Sequence, residues 1–319
     1  MRVLFVLDPL EQLQLETETS LLLAAEFRRR GHETWFAIED DVVLAGEGVF
    51  AFVRTLEVDA LGRPQAGAPQ RARLTDFQLI LMRQDPPVDA RYRFTAQALN
   101  AVASQVLVVN NPASVLTWNE KLLPLRFPQY APPTLASHRE EELLRFVQQH
   151  ERVVVKPLSE CSGRGIRIVD PTTAGEAIQA TKSAYPGEPV VVQRYLPEVM
   201  QGDKRIFLAN GLVVGAVNRI PTAPDRLANI HQGARVAATT LTKREQEIAC
   251  VVGRFLQEEG IWLAGLDVIG GYLTEVNITS PSALRQINDV NGKRHETDVV
   301  DTLEQLVSNR LPKAQTMPT

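Results

Sequence analysis

The chain has 319 residues, enough for about two domains, with 44% hydrophobic and 23% charged residues and a net charge of −4. That composition reads as a soluble globular protein with a substantial core, and it gives no reason to expect nucleic acid or an anionic membrane as a partner. An anionic substrate therefore needs a local cluster of Lys and Arg.

Met1-Arg-Val-Leu-Phe-Val-Leu-Asp8 is a buried-strand run, too short and too abruptly polar for a signal peptide. No run approaches the ~20 apolar residues that span a bilayer. The two cysteines, Cys161 and Cys250, match no metal-ligand spacing and fit a disulfide-free cytoplasmic protein. Asp8-Pro9 ends the first strand and puts a carboxylate at its C-terminal edge, where open α/β sheets bind ligands. A helix over 20–30 stops at Gly31, and a second strand covers 32–38. Residues 47–58 suggest a hairpin-like stretch, and 62–73, rich in Gly, Pro, Gln and Arg, a surface loop. The strand at 77–82 runs into Arg83-Gln84-Asp85-Pro86-Pro87, whose prolines forbid continuation. With a helix over 94–104 and a strand at 106–109, the pattern is a doubly wound domain. Asp8, Arg83 and Asp85 then gather at successive strand ends as a small-molecule site, although each alone reads as a cap or loop residue.

Thr117-Trp-Asn-Glu-Lys121 opens a helix interrupted at Pro124, and an acidic-headed amphipathic helix covers 139–150. Val153-Val-Val-Lys156-Pro157 is a strand ending in a lysine. The Gly/Ser turn 158–165, with Ser162 and Gly163, can offer backbone N–H groups to phosphate, or can be an ordinary hairpin turn. A helix over 172–184 and a strand over 190–196 follow. Asp203, Lys204 and Arg205 lie on a strand whose hairpin partner is 212–219. A long helix over 242–259 stops at Gly260, and an amphipathic helix over 296–311 closes the chain.

Two apolar runs, 263–269 and 272–278, flank Gly270-Gly271, a pair that suits a two-residue hairpin. Glu275 and Asn277 project from one face, and Asp267 can face the same space. Two carboxylates and an amide oxygen make a hard oxygen site suited to Mg²⁺ carrying phosphates; the alternative is a solvent-facing sheet surface. Lys121, Lys156, Lys204, Arg205, Arg219 and Arg235 fall near strand ends or in loops, and several cations around Asp267, Glu275 and Asn277 are what a triphosphate needs.

The chain resembles the bacterial (prokaryotic-type) glutathione synthetases of the ATP-grasp superfamily. The resemblance is carried by Val6-Leu-Asp-Pro9, Ile80-Leu-Met-Arg83-Gln-Asp-Pro-Pro87, Asn119-Glu-Lys121, Lys156-Pro-Leu158, Gly202-Asp-Lys-Arg205, Arg219-Ile-Pro221, Gly265-Leu-Asp267 and Thr274-Glu-Val-Asn-Ile-Thr-Ser-Pro281, in family order over nearly the whole length. It implies an α/β (α+β) fold. An N-terminal doubly wound parallel-sheet domain (1–118) binds substrate, and an ATP-grasp fold of two α+β subdomains follows (lid, 119–195; metal and catalytic site, 196–312), then a tail (313–319). It implies ATP as co-substrate and two Mg²⁺ ions, with Mn²⁺ possible, held by Asp267, Glu275 and Asn277. Lys121, Lys156, Ser162 and Gly163 would meet phosphates; Gln193, Tyr195 and Leu196 would line the adenine pocket, with Asp203 on the ribose side. Arg205, Arg219, Arg235 and Asn229 would be catalytic, and Asp8, Arg83, Asp85, Ser280 and Arg285 would hold the peptide. The implied reaction joins γ-glutamylcysteine to glycine through an acyl phosphate, in a cytoplasmic homo-oligomer (dimer or tetramer).

The chain departs from the family pattern in two places. The lid segment 159–165 is poor in glycine and carries Glu160 and Arg164. The 227–235 stretch has an Asn-x-His-x-Gly pattern similar to ATP-grasp ligases that add glutamate to protein tails. The alternatives are therefore a peptide or amino-acid ligase with another acceptor, a catalytically inactive nucleotide-binding relative, or a redox role for Cys161.

Overall fold

Strands that read as unbroken apolar runs are buried on both faces, and the first sheet follows that rule. The computed structural model describes residues 1–161, 163–223 and 233–310; Ser162, Asn229, most of the 222–236 loop and the 313–319 tail lie outside them. β1 (Arg2–Val6), β2 (Glu33–Ala37), β3 (Val42–Ala45), β4 (Gly48–Val58), β5 (Pro64–Ala66), β6 (Gln70–Arg73), β7 (Leu79–Met82) and β8 (Leu107–Val109) form one sheet. Its centre, β2-β1-β7-β8, is parallel. Helix α1 (Thr19–Arg29) covers the face carrying Val3 and Phe5, and α2 (Ala90–Val102) the face carrying Leu4 and Val6. Each large apolar side chain buried this way contributes about 1.5–3 kcal/mol. Helices on both faces make this part doubly wound, as the alternating pattern implies.

Three local expectations are corrected. Residues 48–58 form a single long strand hairpinned to β3 instead of a hairpin of their own. The 62–73 stretch is not wholly loop, because β5 and β6 pair with β4. The extended strand β4 offers backbone partners, so polar residues can pair there without an apolar signal. No helix opens at Thr117: α3 (Pro112–Thr117) ends there, the Asn119 side chain accepts from Lys121 N at 2.9 Å, and a 3₁₀ turn follows at Leu123–Arg126.

The second sheet is antiparallel, β9 (Thr134–Ser137), β10 (Val153–Pro157), β11 (Arg167–Val169) and β12 (Val190–Arg194), in the order β11-β10-β12-β9. Helices α4 (Glu140–His150) and α5 (Ala174–Ala184) pack on it. Its apolar residues (Leu143, Val147, Val153, Val155, Ile178, Val192) make a cluster of their own.

The third sheet is antiparallel in the order β15-β14-β13-β16-β17, from β13 (Asp203–Ala209), β14 (Leu212–Ile220), β15 (Arg235–Ala238), β16 (Leu263–Ile269) and β17 (Tyr272–Asn277). Gly270 and Gly271 both have positive φ (56° and 78°), the geometry of a tight hairpin turn in which other residues are strained. Helix α6 (Lys243–Glu258) begins with a capping box between Thr242 and Glu245 and packs Ile248, Val252 and Leu256 on one face of the sheet. The far end of the other face, with Phe207 and Val217, shares a core with the first sheet, α1, α7 (Leu284–Asn291) and α8 (Glu296–Arg310). Helix α7 had no signal of its own in the Ser280–Ile287 stretch. Asn110, at the end of β8, bonds Leu263 N, Leu263 O and Ile278 O at 2.7–2.8 Å, clipping the first sheet to β16 and the end of β17.

Candidate active site

Alternation along the third sheet sorts its charges. Asp203 and Arg205 on β13, Arg219 on β14, Asp267 on β16 and Glu275 and Asn277 on β17 line one cleft of about 740 Å³. Register joins them into a row: Asp203 faces Arg219, Arg205 faces Asp267, and Asp267 faces Glu275. Lys204, one residue out of phase, turns to the opposite face and pairs with Glu245 at 2.8 Å. The expected gathering of Lys204 with the other cations is thereby corrected. Gly265 leaves room for the row, since a Cβ there would lie 3.0 Å from Arg205 Cδ.

Asp267 is clamped. Arg205 donates to its two oxygens at 2.6 and 3.1 Å, and Arg219 Nη2 lies 2.9 Å from Oδ1. Burial raises the Asp267 carboxyl, but the two arginines together outweigh it and hold it well below the usual carboxylate range. Asp203 differs. Arg219 donates to Oδ2 at 2.6 Å, while the buried Oδ1 has no partner. Burial, reinforced by the charge of Asp267 and opposed by Arg219, raises the Asp203 carboxyl. Burial lowers Arg219, yet Asp203 and Asp267 win and keep it protonated.

The residues fit a hard divalent cation. Asp267, Glu275 and Asn277 present oxygen donors on one face, and the unsatisfied Asp203 Oδ1 beside them marks unmet demand for positive charge. Asn277 donates its Nδ2 to Gly265 O at 3.1 Å and to Asp267 Oδ2 at 3.3 Å, which commits its amide nitrogen and turns its oxygen away from them.

Across the cleft lie two buried lysines. Lys156 Nζ donates to Gln193 Oε1 at 2.9 Å, and Gln193 Nε2 donates to Thr134 Oγ1 at 3.0 Å. Gln193, expected beside adenine, thus also holds Lys156. Burial lowers the Lys156 ammonium, a penalty that an arriving anion reverses. Lys121 Nζ lies 3.7 Å from Glu275 and donates to the backbone carbonyls of Leu158 and Glu160. Arg164 braces the 159–165 turn internally through Glu160 Oε2 at 2.6 Å and fastens it to the first sheet's loop through Pro86 O at 3.4 Å. Val154, Ile168, Tyr195 and Leu196 line an apolar part of the same cleft, and Gly163 lines its edge.

The C-terminal ends of β1 and β7 supply the third wall. Asp8 Oδ2 accepts from Asp85 N at 2.9 Å, and Arg83 donates to Ser20 Oγ at 3.1 Å and Pro281 O at 2.9 Å. Asp85 faces the cleft, and crowding by protein together with the charges of Glu18 and Asp8 raises its carboxyl to about 6. Ser280 lines the cleft beside it.

Two expected residues stand apart from the cleft lining. Arg235 is exposed on β15, paired with Ile220. Arg285, on α7, points to the loop at Gly62, where a Cβ would lie 3.7 Å from its Nη2. Among the cleft-lining residues that carry no role in the sequence expectations, Glu120 stands out. Glu120, between Asn119 and Lys121, is buried under the end of β17. Its signal was a carboxylate wedged between two residues of a matching motif.

Residues 1–115 match the family described as prokaryotic glutathione synthetase, N-terminal domain, and residues 120–292 the family described as prokaryotic glutathione synthetase, ATP-grasp domain. The chain is similar to the glutathione synthetase of Bradyrhizobium diazoefficiens, with 39% identity over 303 residues covering 94% of this chain and 96% of the relative. It is likewise similar to that of Synechococcus elongatus, at 37% identity with 97% and 99% covered. Among solved structures it is similar to D-cycloserine synthetase DcsG (TM-score 0.68, 13% identity, 96% and 99% covered). It is also similar to the ATP-grasp ligase PsnB complexed with minimal precursor, Mg and ADP (TM-score 0.59, 16% identity, 95% and 97% covered). At these identities the structural likeness speaks for the fold, a mixed α/β ATP-grasp architecture behind an N-terminal sheet domain, as the sequence motifs imply.

Proposed function

The chain belongs to the prokaryotic glutathione synthetase family, and from that premise we infer that it joins γ-glutamylcysteine to glycine using ATP. A carboxylate is a poor electrophile, because its charge repels nucleophiles and it has no competent leaving group. Transfer of the γ-phosphoryl of ATP to the C-terminal carboxylate makes an acyl phosphate and ADP. The glycine amine then attacks the carbonyl carbon, a C–N bond forms, the C–O bond to phosphate breaks, and the ammonium proton is released.

The observation that carries this reading is the Asp267–Glu275–Asn277 row facing Lys121 and Lys156 across one cleft. Asp267, Glu275 and Asn277 would hold Mg²⁺, which supplies charge neutralisation on the phosphate oxygens. Two ions, or Mn²⁺ in their place, meet the same donors. Lys121 and Lys156 neutralise the nucleotide phosphates, and Tyr195, Leu196, Val154 and Ile168 take the adenine. Arg205 and Arg219 keep Asp267 anionic and turn positive charge toward the transferring group. Asp8, Arg83, Asp85 and Ser280 hold the peptide from the first sheet. In this reading residues 119–195 close as the lid and exclude the water that would hydrolyse the acyl phosphate. Asn229, Arg235 and Ser162 remain assigned by motif, and Arg285 would reach substrate only through movement of α7. A cytoplasmic location and a homo-oligomeric state, dimer or tetramer, belong to the same reading by family resemblance; among the described residues no helix is long and apolar enough to cross a membrane.

The test is a substrate panel. With ATP, Mg²⁺ and γ-glutamylcysteine, phosphate release and the product mass are followed for single added amino acids. Glycine is expected to give glutathione at the highest rate. Faster turnover with another amino acid, or with a peptide acceptor, overturns the assignment.

A further inference from the structure

We propose that Glu120 is a positioning residue for the reaction: it fastens the end of β17 to the backbone that carries Lys121, and so fixes the spacing between the metal-facing oxygens and the phosphate-facing ammonium. The proposal rests on the ATP-ligase reading above.

Glu120 is 9% exposed. Its Oε1 accepts from Ile278 N at 2.7 Å, Thr279 N at 2.9 Å and Thr279 Oγ1 at 2.9 Å, and its own carbonyl accepts from Val276 N at 3.0 Å. These partners bracket Asn277, and Val276 follows Glu275 directly. The next residue in the chain is Lys121, whose Nζ lies 3.7 Å from Glu275. One side chain and one carbonyl therefore connect two of the three oxygen donors to the lysine opposite them.

A neutral acceptor would serve for a purely structural staple. The carboxylate is instead held where burial raises its pKa and the nearby charge of Glu275 raises it further, against the N–H groups of Ile278 and Thr279 and the charge of Lys121. The neighbouring Lys121 ammonium lies 3.7 Å from Glu275, so the bonds Glu120 accepts come from backbone N–H groups and a hydroxyl. Burying a carboxylate without a cation costs desolvation, which the three donors on Oε1 offset. Its value lies in geometry: charge-assisted bonds are short and directional, and they hold residues 276–279 at one distance from the Lys121 backbone. Displacements of about 1 Å at such a site cost about a hundredfold in rate.

The test uses two variants of the full chain. Glu120→Gln keeps the length and one acceptor oxygen but removes the charge, and Glu120→Asp keeps the charge but shortens the reach. Calorimetry gives ADP affinity with and without Mg²⁺. Turnover gives kcat, the Mg²⁺ concentration for half-maximal rate, and KM for γ-glutamylcysteine. Supporting results are a Mg²⁺–ADP affinity lowered about 10- to 100-fold in both variants, with a smaller loss for metal-free ADP, a matching rise in Mg²⁺ requirement, and an unchanged peptide KM. Unchanged metal-dependent binding overturns the proposal, as does a fall in every constant in step with Tm. If the wild-type chain binds Mg²⁺–ADP yet makes no glutathione, the functional reading fails while the binding comparison still decides the role of Glu120.

Discussion

The first and third sheets build their parts of the cleft in opposite ways. In the first, Asp8, Arg83 and Asp85 sit beyond the C-terminal ends of parallel strands, where a side chain meets the cleft whatever its neighbours' register. In the third, Asp203, Arg205, Arg219, Asp267 and Glu275 lie within antiparallel strands and meet as cross-strand partners. A one-residue slip would send the whole row to the α6 face, where Lys204 already points. Strand ends tolerate change because only loops respond, whereas a mid-strand charge row ties chemistry to pairing and hence to stability.

The contrast breaks most visibly at Asp267. Asp267→Asn leaves Arg205 and Arg219 buried without their shared carboxylate, and we expect a loss of about 3–5 kcal/mol in chemical denaturation together with loss of ligation. Survival of both stability and turnover would show that register does not couple the two. Glu275→Gln separates them. Glu275 is only half-buried and faces the cleft, so ligation should fall at least about a hundredfold while Tm stays close to wild type; near-normal phosphate release would remove Glu275 from the metal set.

The strand-end wall should respond to pH instead. With its carboxyl near 6, Asp85 loses its charge as pH falls through 6, and kcat/KM for γ-glutamylcysteine should fall with it if the anion holds the substrate ammonium. Asp85→Asn should flatten that limb. For stability the sign is opposite. The folded state binds this proton more tightly than the unfolded chain, so the contribution of Asp85 to stability declines from about pH 4 to about pH 6 and is flat above. Asp85 is open to the cleft's water, so screening keeps this below about 1 kcal/mol, and Asp85→Asn should leave Tm at pH 8 unchanged or slightly raised. Smallest for turnover, Lys204→Met should lower stability by about 1–2 kcal/mol, because it leaves the buried Glu245 without its cation, and leave kcat untouched, although it sits between Asp203 and Arg205. A lowered kcat there would mean that the two faces communicate.

The same division explains what could be read from the residues alone. Apolar runs, the Gly270-Gly271 turn and prolines after strands are local signals, and they located the hairpin of β16 and β17 and the strand-end residues. Pairing between distant segments is not local. Thus β5 and β6 escaped notice in a polar stretch whose only reason to be extended is β4. The clamp of Arg205 and Arg219 on Asp267 likewise depends on a register that no single strand encodes. Glu120 was hidden for a related reason: its partners are 158 and 159 residues away. Lys204 shows the converse, a cation placed correctly on its strand and wrongly on its face until the pleat is counted.

The second sheet keeps its apolar residues to itself, while the other two sheets share a core. A layer organised in that way can tilt as a unit without exposing anyone else's interior, so opening the nucleotide slot need not cost the cohesion of the floor beneath it. Amide exchange in 134–194 should therefore slow when nucleotide binds, with little change in β1 or β13, because the ligand bridges what packing leaves separate.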